Sequence, residues 1–395
     1  KAGTGGAGAQ LYLRNTSNQW WGSAASSAVT SSTSSLLIEF DNYNFGGVIP
    51  NIATQGPVTW QSASNSFAGG GIWTSWLNWN QNGQIPSSIT LGKSTNTSGI
   101  TVDAALSAAG PITVYGGDIA INYGLTSTQS GSAISLTGSG KITLAASTTV
   151  QTLLGDINFK ASSVGGTLGG IVLNSSSVVK SFGGNITLGG GYTGTQGAGL
   201  YSATANAPGV LMTSNTIDAA GGNINIYGRN TASYDDGVRI SSSSITTSGT
   251  GTIGIYGDSY GGSNGTTHYS GVTLLGSATT LQTSSGAIEI KGILTNANST
   301  NAAGVSFFNG SGSGGSVQIL STSGNILISG NEYSALAGTT GLNHWSNGNV
   351  YIGSPSHAAW TASGNITLRF SDIWPAGSNA INLKTTGGVT FEPYG

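Results

Sequence analysis

The sequence predicts an all-β fold, a single-stranded parallel β-helix with three strands in each coil. Glycine makes up 66 of 395 residues, roughly one in six against a usual share of ~7%. Only 6% of the residues are charged, where a soluble domain usually carries ~25%. The sequence has no long stretch with the i, i+3, i+4, i+7 apolar spacing of an amphipathic helix. A short alternating run beside a glycine recurs instead, which indicates many short strands.

The alternating runs share one pattern: a glycine, a spacer, and then apolar, polar and apolar residues. From Pro111 onward they read PITVYG, GDIAI, GKITL, GDINF, GNITL, GNINIYG, GTIGIYG, GAIEIKG, GNILISG, GNVYIG and a second GNITL. Successive side chains of a strand point to opposite faces, so Ile224 and Ile226 face one side and Asn225 faces the other. Each run is therefore expected to bury one face.

A longer repeat contains these runs. Units begin at positions 170, 209, 237, 271 and 304, which are 39, 28, 34 and 33 residues apart. In the unit that begins at Gly237, a first strand carries Val238 and Ile240, a middle element is centred on Ile245, and a Gly-x-Ile-x-Ile strand closes the unit. Three strands with a variable polar loop at one corner describe one coil of a parallel β-helix. About twelve coils of ~4.8 Å each are expected, and the pattern begins near the N-terminus.

The corners of the coil explain the abundance of glycine and asparagine. We expect them to need positive φ angles, which these two residues adopt at little steric cost. The position directly after the turn glycine holds Asp118 and Asp156 in two units and asparagine in five others, Asn185, Asn223, Asn325, Asn349 and Asn365. A position that accepts either residue is typical of a hydrogen bond made by the side chain at a turn.

Composition excludes several classes of protein. The net charge is −2, which gives no electrostatic basis for binding nucleic acid. No apolar run approaches the ~18 residues of a membrane-spanning helix, and the absence of cysteine means that no disulfide stabilises the fold. The chain starts at Lys1 without the features of a signal peptide, so we expect a mature product or an internal piece of a longer protein.

The titratable residues predict no catalytic, cofactor or metal site. Asp235 and Asp236 form the only adjacent acidic pair, with Arg229 and Arg239 nearby, and two interpretations stay open. The pair is either a solvated, partly neutralised loop or a calcium or acid–base site. The three histidines, His268, His344 and His357, have no metal-ligand spacing. Neither a GxSxG nucleophile elbow nor a phosphate-binding GK[ST] loop is present.

The tryptophans divide the chain into three segments. Six of the nine lie in the first 80 residues, three lie in the last 55, and none lies between. We therefore predict aromatic-rich first coils over 1–90, regular coils over 91–340 and a Trp-containing end over 341–395. A solenoid must cap or pair both of its ends, so these residues are internal caps, an end-to-end interface, or surfaces for stacking on sugars. The candidate interface consists of Trp20, Trp21, Trp73, Trp76, Trp79, Trp345, Trp360 and Trp374.

The repeating unit, with its polar Ser, Thr and Asn filling and few charges, resembles the stems of large bacterial surface adhesins. The nearest groups are the filamentous-haemagglutinin-type exoproteins and autotransporter passengers. The resemblance covers roughly 90–395 and is one of composition and period. It implies a right-handed β-helix, export to the bacterial cell surface, and a role in adhesion or biofilms without catalysis.

Together these observations predict a non-enzymatic, extracellular structural or adhesive protein without a cofactor. We expect it to build a surface or matrix fibre by head-to-tail self-association, or to form part of a longer stem. Host or matrix glycans are further possible partners. The alternative is a carbohydrate-binding or carbohydrate-cleaving β-helix, such as a lyase, a glycosidase or a phage tailspike, which would bring carboxylates together in a groove. The outward residues Thr187, Asn225, Gly254 and Glu289 form no threonine column, which argues against ice binding.

Overall fold

The chain winds into a stack of coils built from three parallel sheets. The structure is a computed structural model and describes residues 10–12, 20–22, 33–44, 49–68, 71–161, 169–189, 201–202, 208–230, 235–259, 269–275, 278–295, 302–309, 316–332, 340–346, 348–354, 361–375 and 380–394. The prediction of an all-β parallel β-helix with three strands per coil is confirmed. Its handedness stays a prediction.

Sheet 1 has 14 strands and contains most of the runs that follow a glycine, whereas GDIAI and GKITL lie in sheet 2 and GNVYIG lies in sheet 3. They are Leu36–Glu39, Pro57–Gln61, Ser88–Leu91, Ile112–Gly116, Ile134–Gly138, Ile157–Lys160, Ile186–Leu188, Tyr201–Ser202, Ile224–Asn230, Ile253–Ser259, Ile288–Leu294, Ile326–Glu332, Ile366–Phe370 and Val389–Pro393. These strands occur in all three segments that the tryptophans suggested, and the division into those segments stays a prediction.

Sheets 2 and 3 complete the cross-section. Sheet 2 has 11 strands: Ile72–Trp73, Ile100–Val102, Ile119–Ile121, Lys141–Leu144, Gly170–Leu173, Val210–Thr213, Val238–Ser241, Ser270–Leu275, Ala303–Asn309, Thr340–Ser346 and Ile373–Pro375. Sheet 3 has 10 strands: Leu106–Ala108, Leu125–Ser127, Thr149–Gln151, Val178–Lys180, Thr216–Asp218, Ser244–Thr246, Ala278–Thr283, Ser316–Ser321, Val350–Gly353 and Ile381–Lys384.

The remaining elements lie in the first coils. Gln10–Tyr12 pairs with Asn42–Asn44, and Trp20–Gly22 pairs with Asn51–Ala53, both in parallel. The helices of the described residues are the short 3-10 turns Thr74–Trp76 and Gln81–Gly83. In that part of the chain, no helix has the length and apolar character that crossing a membrane requires.

From Ile100 onward, each coil passes through sheet 2, sheet 3 and sheet 1 in that order, as the repeated unit predicted. Equivalent strands pair one coil apart, which aligns identical side chains into ladders. One such ladder places Ile224, Ile253, Ile288, Ile326 and Ile366 in register, and all five are at most 2% exposed. Burying one isoleucine side chain is worth roughly 1.5–3 kcal/mol, so the interior ladders are the main source of stability.

The turns before the strands of sheet 1 contain two kinds of glycine. Gly183 and Gly221 have the expected positive φ, at 125° and 126°. The glycine that follows differs from expectation, because close approach of neighbouring coils requires it and positive φ does not. Gly184, Gly222 and Gly286 are absent from the residues with positive φ. A Cβ atom on Gly222 would lie 2.0 Å from the carbonyl oxygen of Gly184, and one on Gly286 would lie 1.8 Å from that of Gly251. Stacked corners in this position therefore leave no room for a side chain.

Positive φ angles also occur at the corner between sheets 2 and 3. There the residue is serine in four coils, Ser147, Ser176, Ser214 and Ser242, with φ between 49° and 63°. The backbone N–H of each of these serines donates to a carbonyl group of the next coil, as in Ser176 to Ser214 at 2.9 Å. We infer that this inter-coil bond holds the left-handed conformation, which ordinary residues adopt only when their surroundings enforce it.

The residues after the turn glycines form a hydrogen-bonded ladder between coils. A side-chain oxygen of Asp156 accepts from the backbone N–H of Asn185 at 2.8 Å, and Asn185 Oδ1 accepts from the N–H of Asn223 at 2.9 Å. Asn325 and Asn365 repeat this bond, with Asn365 Oδ1 accepting from Gly388 N at 2.8 Å. The structural interpretation of this position is therefore confirmed, but the side chain joins two coils instead of closing its own turn.

Candidate functional site

The outer face of sheet 1 carries two adjacent rows of side chains in the later coils. We call the first the tyrosine row: in register along the coils it comprises Tyr227, Tyr256, Lys291, Ser329, Arg369 and Glu392. The second, the glutamate row, comprises Asn225, Gly254, Glu289, Leu327, Thr367 and Thr390. Few residues in the chain are charged, so four charged side chains in these rows mark an unusual surface.

Two stacked tyrosines begin the tyrosine row. The rings of Tyr227 and Tyr256 lie 5.0 Å apart between centroids with an angle of 10° between their planes. The ring of Tyr256 lies over Gly254, because a Cβ atom there would come within 2.7 Å of Tyr256 Cε2. Tyr256 Oη then donates to Glu289 Oε2 at 2.5 Å. Glycine in the glutamate row thus permits the contact that orients the carboxylate.

Glu289 is held from two sides. Lys291 Nζ lies 2.5 Å from Glu289 Oε1 and 5.9 Å from the centre of the Tyr256 ring. Burial raises the pKa of Glu289, but hydrogen bonds from Lys291 and Tyr256, with the charges of Lys291 and Arg369, lower it below its ordinary value overall. Burial and the charge of Glu289 together raise the pKa of Tyr227. The carboxylate of Glu289 is therefore ionised and fixed in position.

A second ion pair lies on the last two coils. Arg369 donates from Nε and from Nη2 to Glu392 Oε2, at 2.9 and 2.6 Å. The Arg369 and Glu392 side chains remain 40% and 38% exposed, so both can be reached from solvent. The two pairs, Glu289–Lys291 and Arg369–Glu392, stand on either side of one coil, whose outward residues in the two rows, Leu327 and Ser329, carry no charge.

A groove of about 410 Å³ lies between these ion pairs. Its walls and floor are formed by Ala287, Ile288, Glu289, Asn325, Ile326, Leu327, Asn365, Thr367, Arg369 and Glu392. From the coil of Glu289 to that of Glu392 it spans three coil steps, ~14 Å. Within the described residues, no protein acceptor bonds to Nδ2 of Asn325 or Asn365, while the Oδ1 atom of each is used by the inter-coil ladder. The amide groups therefore present free donors to the groove.

The groove brings two carboxylates together, which is the arrangement that would favour a carbohydrate-active enzyme. Glu289 and Glu392 both line it, but each is already paired with a cation. A general acid for glycoside cleavage needs a raised pKa, whereas that of Glu289 is lowered. The geometry therefore fits binding better than proton donation.

The acidic pair Asp235–Asp236 is buried, and the expectation of a solvated loop is wrong for these two residues. They are 2% and 0% exposed. Arg239 donates from Nη2 to Asp235 at 2.7 Å and from Nε to Asp236 at 2.5 Å. Asp236 Oδ1 also accepts from Ser270 N and Thr273 Oγ1, and Arg229 pairs with Asp258 instead. The carboxylates therefore form structural bonds, and those of Asp236 to Ser270 and Thr273 join neighbouring coils.

Burial has a large effect on one member of this pair. It raises the pKa of Asp235 from 3.8 to about 6. The charge of Arg239 lowers this pKa, and the charge of Asp236 adds to the increase.

In the described residues, no group of three or more metal-ligating side chains converges. His268 and His357 lie outside the described residues, and His344 lies in the strand Thr340–Ser346 without a described side chain.

The tryptophans with described side chains lie in the first coils. Trp60 is fully buried, and Trp79 is 7% exposed with Nε1 donating to the carbonyl oxygen of Thr74 at 2.8 Å. Trp76 is partly buried and packs against the core. Trp73 is 49% exposed, and its ring stacks on the ring of Trp76 with 6.2 Å between the ring centres. Among these four, Trp73 offers the largest exposed fraction to a partner.

The other candidate tryptophans are placed only by their backbone. Trp20 and Trp21 lie in Trp20–Gly22, Trp345 lies in Thr340–Ser346, and Trp374 lies in Ile373–Pro375, all without described side chains. Trp360 lies outside the described residues. The hypothesis that these residues form an end-to-end interface stays a prediction.

The last coil exposes side chains that are buried in every other coil of the regular stack. Phe391 is 62% exposed, whereas Leu368, its partner one coil earlier, is 3% exposed. Val389 is 43% exposed against 0% for its partner Ile366. Ile373 in sheet 2 is likewise 44% exposed. At this end, the apolar interior of the coil and the edges of the sheets face solvent.

Sequence reasoning missed the groove, although a signal for it was present. The run IYG occurs at Ile226 and again at Ile255, and the repeat places both tyrosines on the outward face one coil apart. Glu289, already recognised as outward, occupies the following coil. The sequence carries no comparable signal for the pairing of Arg369 with Glu392, because loops of different lengths separate the strands of the last coils and hide their register.

Comparison of the chain with protein-family models, with curated proteins and with solved structures finds no match.

Proposed function

We propose that this chain is a non-enzymatic, extracellular structural or adhesive protein of a bacterial cell surface, which builds a fibre by end-to-end stacking of its coils. The observation that carries the proposal is the open last coil, where Phe391 and Val389 face solvent. A further coil layer of the same kind would bury them and pair the free edge of sheet 1, as every earlier coil does.

A second copy of this chain is the occupant that we propose for the open end. With a net charge of −2 over 395 residues, little repulsion opposes contact between copies. The contact joins the last coil of one copy to the first coils of the next, so it is heterologous and propagates as a filament. A further coil of a longer stem would use the same surface. We also place the candidate tryptophans of both ends at this contact.

Sedimentation velocity and electron microscopy of the purified chain test the stacking. We expect a concentration-dependent series of rods whose length grows in steps of one molecule. Phe391→Lys places a charge on the open edge and should leave single rods, because charged edges resist pairing. Tyr123→Lys is the matched control, since Tyr123 is 55% exposed on the side of the stack, and should still assemble. Monodisperse monomers of the unmodified chain at high concentration would contradict the proposal.

A carbohydrate-cleaving β-helix is the alternative, and the groove with Glu289 and Glu392 is the observation that favours it. Reducing-end assays on neutral and acidic polysaccharides separate the two proposals. Cleavage that disappears in both Glu289→Gln and Glu392→Gln would establish an enzyme. If the chain is a structural or adhesive protein, as we propose, the unmodified chain should cleave none of these polysaccharides.

A further inference from the structure

We propose that the groove on sheet 1 binds a neutral oligosaccharide, which lies along the coil axis between the Glu289–Lys291 and Arg369–Glu392 pairs. This inference rests on the adhesive part of the proposed function and is independent of stacking at the open end. It names the chemical class of ligand and the residues that contact it.

The charges of the groove are balanced, which favours a ligand without charge. Lys291 is neutralised by Glu289, and Arg369 is neutralised by Glu392. An anionic glycan would be repelled by the carboxylates of Glu289 and Glu392, and a cationic ligand would be repelled by Lys291 and Arg369. A hydroxyl-rich ligand without charge meets neither repulsion, and it can donate to one group and accept from the next.

Free hydrogen-bonding groups lie at successive positions along the groove. The Nδ2 groups of Asn325 and Asn365 are donors one coil apart, and Thr367 offers a hydroxyl beside them. Arg369 uses Nε and Nη2 for Oε2 of Glu392. Within the described residues, Arg369 Nη1 and Glu392 Oε1 therefore remain available to a ligand. Groups repeated at the ~4.8 Å coil spacing suit a ligand that is itself a chain of similar units.

The floor of the groove supplies an apolar contact. Leu327 is the one aliphatic side chain among the outward residues of the glutamate row, and it lies between Glu289 and Thr367. A pyranose ring has an apolar C–H face, which can pack on Leu327 while its hydroxyl groups bond to the rim. Sugar sites combine an apolar surface with a few well-placed polar groups in this way.

The polar groups are held in place before any ligand arrives. Asn325 and Asn365 are fixed by their bonds to the next coil, Glu289 is fixed by Tyr256 and Lys291, and Arg369 is fixed by Glu392. Side chains that are already ordered lose little entropy on binding. The Tyr227–Tyr256 stack and Gly254 therefore act as positioning residues for the groove.

Isothermal titration calorimetry with a panel of neutral tetrasaccharides tests the proposal. The panel comprises β1,4-glucose, α1,4-glucose, β1,4-mannose and β1,4-N-acetylglucosamine tetramers, with tetragalacturonate as the anionic comparison. We expect at least one neutral tetramer to bind and tetragalacturonate to bind more weakly. All titrations use the full chain at a concentration where its assembly state has been measured.

Two pairs of variants localise the binding. Asn365→Asp keeps the oxygen that bonds to Gly388 but removes the free donor, and Asn223→Asp makes the same change in the same ladder outside the groove. Thr367→Tyr fills the floor, and Thr113→Tyr adds the same ring in the same row eight coils earlier. We expect Asn365→Asp and Thr367→Tyr to weaken binding by at least ~10-fold, and both controls to change it less than about twofold.

Three outcomes would overturn the inference. They are no heat of binding with any neutral tetramer at ~10 mM sugar, an affinity for tetragalacturonate above that for every neutral tetramer, and equal losses in the groove variants and their controls. Circular dichroism of each variant checks that it is folded. Because single rods retain the groove, failure of stacking leaves this test intact, and failure of sugar binding leaves the stacking test intact.

Discussion

The side-chain oxygen of Asn185 accepts a hydrogen bond from the backbone N–H of Asn223, a residue 38 positions later, at 2.9 Å. Asn223 in turn accepts from Thr252 N at 2.9 Å and from Thr252 Oγ1 at 3.0 Å. Residues far apart in sequence are thus joined by a side chain that reaches one coil along the stack. The ladder satisfies backbone donors at the exposed corner, where no strand partner is available.

Replacing the Asn223 side chain tests the value of this ladder. Asn223→Leu should lower the free energy of unfolding by about 1 kcal/mol, because it removes the acceptor for Thr252. Asn223→Asp should be close to neutral, since Asp156 fills the equivalent position two coils earlier and its side chain bonds to the next coil. Urea denaturation followed by circular dichroism measures both. Equal stability of the Leu and Asp variants would show that the bond contributes nothing.

The stacked turn glycines should tolerate no side chain. In Gly222→Ala, the new Cβ would lie 2.0 Å from the carbonyl oxygen of Gly184, so two coils must separate locally. We expect a loss of more than ~3 kcal/mol or failure to fold, which thermal unfolding and expression yield would report. Gly249→Asn is the control: Gly249 has φ +55° and open space around its Cβ, which asparagine tolerates. It should cost less than ~1 kcal/mol.

Asp235 should make stability depend on pH. Its pKa is raised from 3.8 to about 6 in the folded state, chiefly by burial, so between these values the folded protein binds more protons than the unfolded chain. Its contribution is therefore fully present below pH 3.8 and is lost as pH rises through about 6. The effect is on the order of 3 kcal/mol, since the shift is about two pKa units and one unit corresponds to about 1.4 kcal/mol.

The measurement compares the unmodified chain with Asp235→Asn from pH 4 to pH 7 by urea denaturation. Asparagine does not titrate, so the stability of the unmodified chain relative to the variant should decrease as pH rises. A constant difference over this range would mean that burial does not raise the pKa of Asp235. An increase with pH would mean that the charge of Arg239 outweighs burial.

Trp60 should respond differently to two truncations. It is fully buried in sheet 1, its ring centre lies 6.0 Å from that of Phe40, and no described residue bonds to its Nε1. Trp60→Ala should cost about 3–5 kcal/mol through the cavity it leaves. Trp60→Phe should cost at least about 2 kcal/mol less, because it also removes a buried donor without a partner. Thermal unfolding measures both, and equal losses would show that Nε1 carries no penalty.

Much of the fold was predictable because the repeat is local in sequence. The alternation around Ile224 and Ile226 indicates a strand with one buried face, and its return at Ile253 and Ile288 indicates that the faces stack. The groove was less accessible to prediction. Its chemistry depends on side chains of four coils, from Glu289 to Glu392, and their relative placement requires the register of loops with different lengths.

The sequence by itself determined the three-stranded coil, its apolar ladders and the asparagine position, since each follows from period-2 alternation repeated at the length of one turn. Only the tertiary structure decided why the glycines are there, that Asp235 and Asp236 are buried, and that Arg369 faces Glu392. The physical reason is that these features arise from contacts between coils. Whether a carbonyl lies 2.0 Å from an absent Cβ, or a carboxylate meets a guanidinium, depends on the register and spacing of chain segments that no local pattern encodes.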